Sequence, residues 1–162
     1  PKYRGTTPSQ SAILGGEAET GTTLFLLDEK VDHGKIVASS KYQVLSEDTY
    51  QSLEEKLAGM SGDLLVETLP KFATGAVEPR IQDESKATLT KKFKTEDGFV
   101  DLVKEDDTSL DRKIRALNPE PGVYTIIGGA RVKILDQGTI QYEGKRAQKV
   151  KSAKEFLRAL LV

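Results

Sequence analysis

The chain has 162 residues, 37% hydrophobic and 30% charged, a globular balance with room for one ordinary domain or two small ones. It contains no cysteine and a single histidine, His33, which excludes disulfides, thiolate chemistry and multi-histidine metal sites and fits a reducing compartment. The net charge of −1 hides a division: residues 1–109 carry 13 Lys+Arg against 20 Asp+Glu (−7), and residues 110–162 carry 11 against 5 (+6). Chance segregation of solvated surface charge would produce such a step, and so would a basic region that faces a polyanion. The longest apolar runs, 24–27 and 157–162, fall far short of the ~18 residues a membrane-spanning helix needs, and no membrane partner is expected. The opening Pro-Lys-Tyr-Arg-Gly has no Met and no apolar leader behind it, so residues are expected upstream.

Taken in chain order, residues 8–14 read as a short helix ended by Gly15-Gly16. Residues 22–27 (TTLFLL) and 36–44 (IVASSKYQV) read as strands bounded by Gly21, Gly34 and Ser46. Between them runs a carboxylate-rich loop, Asp28-Glu29-Lys30-Val31-Asp32-His33-Gly34, a plausible place for a site. Ser46 stands where a helix N-cap belongs, with Glu47 and Asp48 behind it. Leu53, Leu57, Met60, Leu64 and Phe72, with Leu65 and Leu69 beside them, then follow a helical period to Gly75 and are expected in the core.

Periodicity fails over 77–107, which reads as a linker between a first domain, 1–76, and a second, 108–162. Residues 108–117 are helical, with Leu110, Ile114 and Leu117 on one face. Asn118-Pro119-Glu120-Pro121-Gly122 stops that helix, since proline cannot donate and clashes with a continuing turn. Runs at 123–127, 131–135 and 139–142, separated by Gly128-Gly129 and Gln137-Gly138, read as an antiparallel meander. Ser152 and Glu155 have the form of a capping box opening a terminal helix. The residues alone therefore imply an α/β piece followed by a small, basic, β-rich piece.

A series of ordered motifs carries a resemblance across nearly the whole chain. Pro1-Lys2-Tyr3-Arg4-Gly5, Pro8-Ser9-Gln10-Ser11-Ala12-Ile13, Gly16-Glu17-x-Glu19-Thr20-Gly21-x-Thr23 and the loop through Val31-Asp32-x-Gly34 resemble a formyltransferase catalytic domain. Lys91-Lys92-Phe93-x-x-Glu96-Asp97-Gly98, Leu110-Asp111-Arg112-Lys113-Ile114-Arg115-Ala116-Leu117-Asn118-Pro119 and the ending Glu143-Gly144-Lys145-Arg146 with Ser152-Ala153-x-Glu155-Phe156-Leu157-Arg158 resemble the methionyl-tRNA formyltransferases. The resemblance implies a truncated Rossmann-like domain followed by an abbreviated OB-like β-barrel. It also implies a cytoplasmic translation-initiation enzyme that moves a formyl group from 10-formyltetrahydrofolate to initiator Met-tRNA, with no metal.

Such a transfer passes through a tetrahedral intermediate, so a base must take the amine proton while donors hold the oxyanion. By motif position Asp32 is the family's catalytic carboxylate, expected to orient a histidine; the alternative is a turn-forming Asp before Gly. The family Asn and His would precede Pro1, so the 162 residues alone are expected to be inactive. His33 stands where the family often has Thr and is expected to be a solvent-exposed loop residue. Asp28, Glu29 and Val31, with Asp32, are implied near the folate. Arg112, Lys113, Arg115, Lys145, Arg146 and Lys149, with Arg131, Lys133, Lys151, Lys154 and Arg158, are expected to contact tRNA phosphates. Few aromatics accompany them (Tyr124, Tyr142, Phe156), so recognition by shape and backbone is expected over base stacking. Two alternatives stand beside this reading: a non-catalytic tRNA-binding remnant, and a formyltransferase for a sugar nucleotide or purine precursor. Truncation would also leave strand edges unpaired and open to association with another chain.

Overall fold

In the computed structural model residues 1–161 are described; Val162, the last residue of the expected second domain, lies outside them. The chain divides into two compact units, Pro1–Lys92 and a second from Phe93 onward.

In the first unit, Pro8 starts helix α1 (Pro8–Gly15), and Gly16, at φ 65°, ends it by returning its N–H to the carbonyls of Ala12 and Ile13. Ala12 and Ile13 are buried. Strands β1 (Glu19–Phe25) and β2 (Ile36–Gln43) form an antiparallel hairpin with Glu19 opposite Gln43 and Leu24 opposite Ala38. The first strand therefore begins before the expected boundary at Gly21. Gly21 lies inside it because the Ser40 carbonyl approaches so closely that a Cβ there would collide.

Helix α2 (Tyr50–Ala73) starts three residues later than the sequence suggests. Its cap is Thr49, whose hydroxyl accepts from Ser52 N–H while the Ser52 hydroxyl accepts from Thr49 N–H. Ser46 loses that role because Asp48 folds the preceding turn: its carboxylate accepts from Leu45 N–H at 2.9 Å and pairs with Lys56 at 2.6 Å, with no exposed surface. The apolar face of α2 is covered only in part. Leu53 is buried, but Leu65 is 46% and Leu69 56% exposed, because little besides α1 and the hairpin packs on this helix. These side chains and Phe72 line an open apolar groove of about 370 Å³ with Leu24, Leu27 and Val37 of the hairpin side.

The 77–107 stretch is shared between the units rather than left as a connection. Arg80 and Ile36 exchange backbone hydrogen bonds of 2.7 and 2.8 Å, and Arg4 N–H donates to the Thr88 carbonyl at 2.8 Å. Farther on, Val100 and Leu102 are buried in the second unit, and Val100 N–H donates to the Tyr124 carbonyl.

Helix α3 (Asp107–Leu117) is capped by Asp106 and buries Leu110, Ile114, Ala116 and Leu117. It ends where the prolines require. Strands β3 (Tyr124–Ile127), β4 (Ala130–Asp136), β5 (Thr139–Tyr142) and β6 (Gln148–Lys149) form an antiparallel meander in the order β3-β4-β5-β6. Val132, Ile134 and Ile140 are buried on its inner face, and helix α4 (Ala153–Ala159), capped by Ser152, adds Ala153 and Leu157 to the core. Among the described residues the sheet is open: β6 has two residues and no ladder joins it to β3. The fold is thus an α/β unit and a small β-rich unit, the second without a closed barrel.

Candidate functional site

The loop after β1 is held shut by short-range necessity. Leu26 N–H donates to the Lys35 carbonyl at 2.9 Å, and Gly34 lies so close to the Leu26 carbonyl that a Cβ would overlap it. Within this loop Asp32 adopts φ 48°, a left-handed conformation that Asp tolerates better than most residues. Its Oδ2 accepts from Gly5 N–H at 2.7 Å, joining the loop to the opening Pro-Lys-Tyr-Arg-Gly motif. The other positive-φ side-chain residue among those described is Tyr3 (φ 63°), two positions from Gly5. Tyr3 N–H donates to Thr88 Oγ1 and its hydroxyl to Glu17 Oε1, which secure that conformation. The two left-handed residues are thus linked through the Tyr3–Gly5 segment, and each conformation is held by hydrogen bonds from elsewhere in the unit.

Beneath Asp32 lies Gln82, buried, whose Nε2 donates to the carbonyls of Asp32 and Gly34 at 2.8 Å each. Its Oε1 accepts from Arg4 Nη2 at 2.8 Å, and Arg4 forms a two-point pair with Glu84 at 2.9 and 2.6 Å. Arg4 Nε is buried without a partner. The hydrogen bond from Arg4 holds the Glu84 carboxyl below its ordinary range. Asp28 is likewise held low, chiefly by the His33 ring and then by Lys30 N–H, and stays charged. His33 Nδ1 lies 2.6 Å from Asp28 Oδ2, and the ring is partly shielded at 30% exposure rather than free in solvent. Glu29 is exposed, and Val31 and Leu27 present 62% and 90% of their surface. Asp28, Glu29, Val31 and Asp32 therefore share one rim; Gln82, Arg4 and Glu84 support it from below.

The cations of the second unit separate into two groups. Lys113 pairs with Glu105 at 2.9 Å and Arg115 with Asp111 at 2.7 Å, and Lys154 pairs with Asp107. Arg158 donates to the carbonyls of Leu102 and Glu105. These side chains hold the unit's own elements together. Lys133, Lys145, Arg146, Lys149 and Lys151 are exposed, while Arg112 and Arg131 are half-buried. No group of three or more His, Asp or Glu among the described residues is arranged to hold a metal ion, and no described helix is long and apolar enough to cross a membrane.

Two family profiles match the chain in succession, "Formyl transferase" over residues 1–69 and "Formyl transferase, C-terminal domain" over residues 92–158. The chain belongs to the formyl transferase family. Among relatives, the methionyl-tRNA formyltransferase of Chloroflexus aurantiacus is 40% identical over 144 residues, 89% of this chain and 46% of its own length. That of Kosmotoga olearia is 39% identical over 138 residues, 85% of this chain and 44% of its own. This formyl transferase chain therefore spans about half the length of the relatives it matches. In fold it is similar to HypX from Aquifex aeolicus in complex with tetrahydrofolic acid (TM-score 0.72, 24% identity, 84% of this chain and 24% of that one). It is also similar to an N-formyltransferase from Helicobacter canadensis in complex with folinic acid and dTDP-3-aminofucose (0.66, 22%, 86% and 51%).

The residues of the candidate site that the sequence does not reveal are Gln82 and Glu84. They fall in the stretch without periodicity, where one buried glutamine gives no pattern to detect. Arg4 was visible inside a motif, but its partners, 78 and 80 positions away, were not.

Proposed function

We propose that the chain is part of a methionyl-tRNA formyltransferase, which transfers the formyl group of 10-formyltetrahydrofolate to the amino group of initiator Met-tRNA. The observation that carries this reading is 40% identity over 89% of the chain to proteins of that name, across both matched regions. The sugar-directed formyltransferases share the fold at lower identity, 22% for the Helicobacter canadensis enzyme, which argues fold alone.

In this reading Asp32 is the family's carboxylate. The amine attacks the formyl carbon and its proton passes to a base; as the tetrahedral intermediate collapses, the bond to the folate nitrogen breaks and the base returns the proton to that nitrogen. Asp32 supplies a fixed negative charge that orients the basic imidazole and stabilises it once protonated. Its backbone is held by Gln82 and one carboxylate oxygen by Gly5, so its aim does not depend on the mobility of a surface loop. Exposed Leu27 and Val31 offer apolar contact to a pterin ring, with Asp28 and Glu29 beside them as polar partners. The open meander of the second unit is read as an abbreviated OB-like module that carries tRNA through its exposed cations. The apolar groove is read as the surface on which the rest of a formyl transferase of the relatives' length packs.

Formylation of charged initiator tRNA by 10-formyltetrahydrofolate tests the assignment. The 162-residue chain alone is expected to give no turnover, because the family Asn and His are not within it. A protein of the relatives' length that includes this sequence is expected to turn over and to lose at least a hundredfold in kcat with Asp32→Asn. Turnover by the short chain alone would overturn the role given to those groups.

A further inference from the structure

The outer face of the second unit's sheet carries a feature that charge counting does not show. Along β4, Val132 and Ile134 point into the core, so Arg131 and Lys133 point outward. Across the ladder Lys133 lies opposite Tyr124 on one side and Gln141 on the other. The Arg131 guanidinium stacks over the Tyr124 ring at 3.7 Å, and the Phe99 ring, 42% exposed, sits 5.7 Å from Tyr124 at a tilt of 58°. Beside this shelf is a polar hollow of about 270 Å³ lined by Arg131, Lys133, Gln141, Tyr142, Glu143 and Gly144. Arg131 lines the hollow, and its Nε is buried with no hydrogen-bond partner.

A buried donor without an acceptor is unfavourable unless something else supplies one. Two cations face a single carboxylate, Glu143, so the acceptor that fits is an anion. A guanidinium stacked on an aromatic ring, with a second ring continuing the shelf, matches the way unpaired bases are held beside their phosphates. We infer that this face is a nucleotide subsite for unpaired RNA, with a phosphate in the hollow on Arg131 and Lys133 and a base against Tyr124 and Phe99. The inference rests on RNA being the partner of the second unit, and it adds base stacking to a surface that the sequence suggested for phosphate contact alone. A paired duplex does not fit, because its bases are not free to meet a ring.

Fluorescence anisotropy with the full chain tests this, using a labelled oligouridine, an RNA duplex of equal length and a tRNA transcript. Oligouridine is expected to bind more tightly than the duplex. Lys133→Gln, at an exposed position, is expected to weaken it several-fold and to lower the salt slope by about one. Tyr124→Leu is expected to weaken it about tenfold with the salt slope unchanged. Lys104→Gln, 84% exposed and paired with Asp101, serves as the control that leaves binding unchanged. Thermal melting by circular dichroism checks that each variant is folded, and the Lys133 variant keeps the test valid if Tyr124→Leu is not. Salt-dependent tRNA binding that neither substitution alters would overturn the subsite while leaving tRNA as the partner. Failure of both tRNA and oligouridine to bind at low salt would overturn the partner and the subsite together.

Discussion

Gln82, buried, makes three hydrogen bonds within the candidate site. Gln82→Ala leaves two loop carbonyls and one Arg4 N–H without their partner and is expected to cost about 1–3 kcal/mol in urea unfolding. Hydrogen exchange at Gly5 N–H, whose acceptor is Asp32, is expected to quicken in the same variant. Asp48 is the other residue whose role exceeds what its type suggests. Burial raises its pKa, but hydrogen bonds from Lys56, Leu45 N–H and Tyr42 outweigh that and hold it below the ordinary carboxylate range. A group depressed in the folded state stabilises at pH above its unfolded value and loses that contribution as pH falls through its folded value. Asp48→Ala is therefore expected to be less stable than the parent by about 3 kcal/mol at neutral pH. The gap is expected to shrink only below about pH 4, and chemical denaturation as a function of pH measures it.

The elements were legible where local chemistry decides them. The strand at 139–142 has its expected bounds, α3 stops at the prolines, and Ser152 caps α4. The misses share a cause: a specific side-chain or backbone contact overrode what residue type alone suggests. Ser46 has the composition of a cap, but Asp48, anchored by Lys56 and Tyr42, moves the helix start to Thr49. Thr49→Ala is accordingly expected to cost about 1 kcal/mol and Ser46→Ala only a few tenths, measured by urea denaturation. Gly21 reads as a boundary but lies inside β1, where the Ser40 carbonyl approaches its backbone; Gly34 does bound β2, and marks a close approach of the Leu26 carbonyl as well. The site was half legible in the same sense. A motif register locates Asp32, whereas the φ of its backbone and the support beneath it come from contacts that no local pattern encodes.

At the scale of the molecule, a first unit of net charge −3 (11 Lys+Arg, 14 Asp+Glu) with an uncovered apolar groove precedes a second unit of net charge +2 (13 against 11), in which Lys133, Lys145, Arg146, Lys149 and Lys151 are exposed on and after β4. The groove is expected to drive concentration-dependent association of the isolated chain. Leu69→Glu, at a position 56% exposed, is expected to suppress that association without unfolding the unit, with sedimentation velocity as the measurement. tRNA affinity is expected to fall steeply as salt rises, and neutralising Lys113 or Arg115 is expected to lower stability more than affinity, since carboxylates already engage both.

The link from Gln82 to Asp32 spans 50 residues, and this has a consequence for synthesis on the ribosome. The loop that carries Asp32 is synthesised 50 residues ahead of the glutamine that fixes it, and emerges ahead of it by the same length. At roughly 5–20 residues per second this lag is on the order of several seconds. During it the loop has Gly5 and its own turn but no floor. A nascent chain that pauses between Gly34 and Gln82 would therefore expose an unformed site, and codon choice across that interval would set how long it does so.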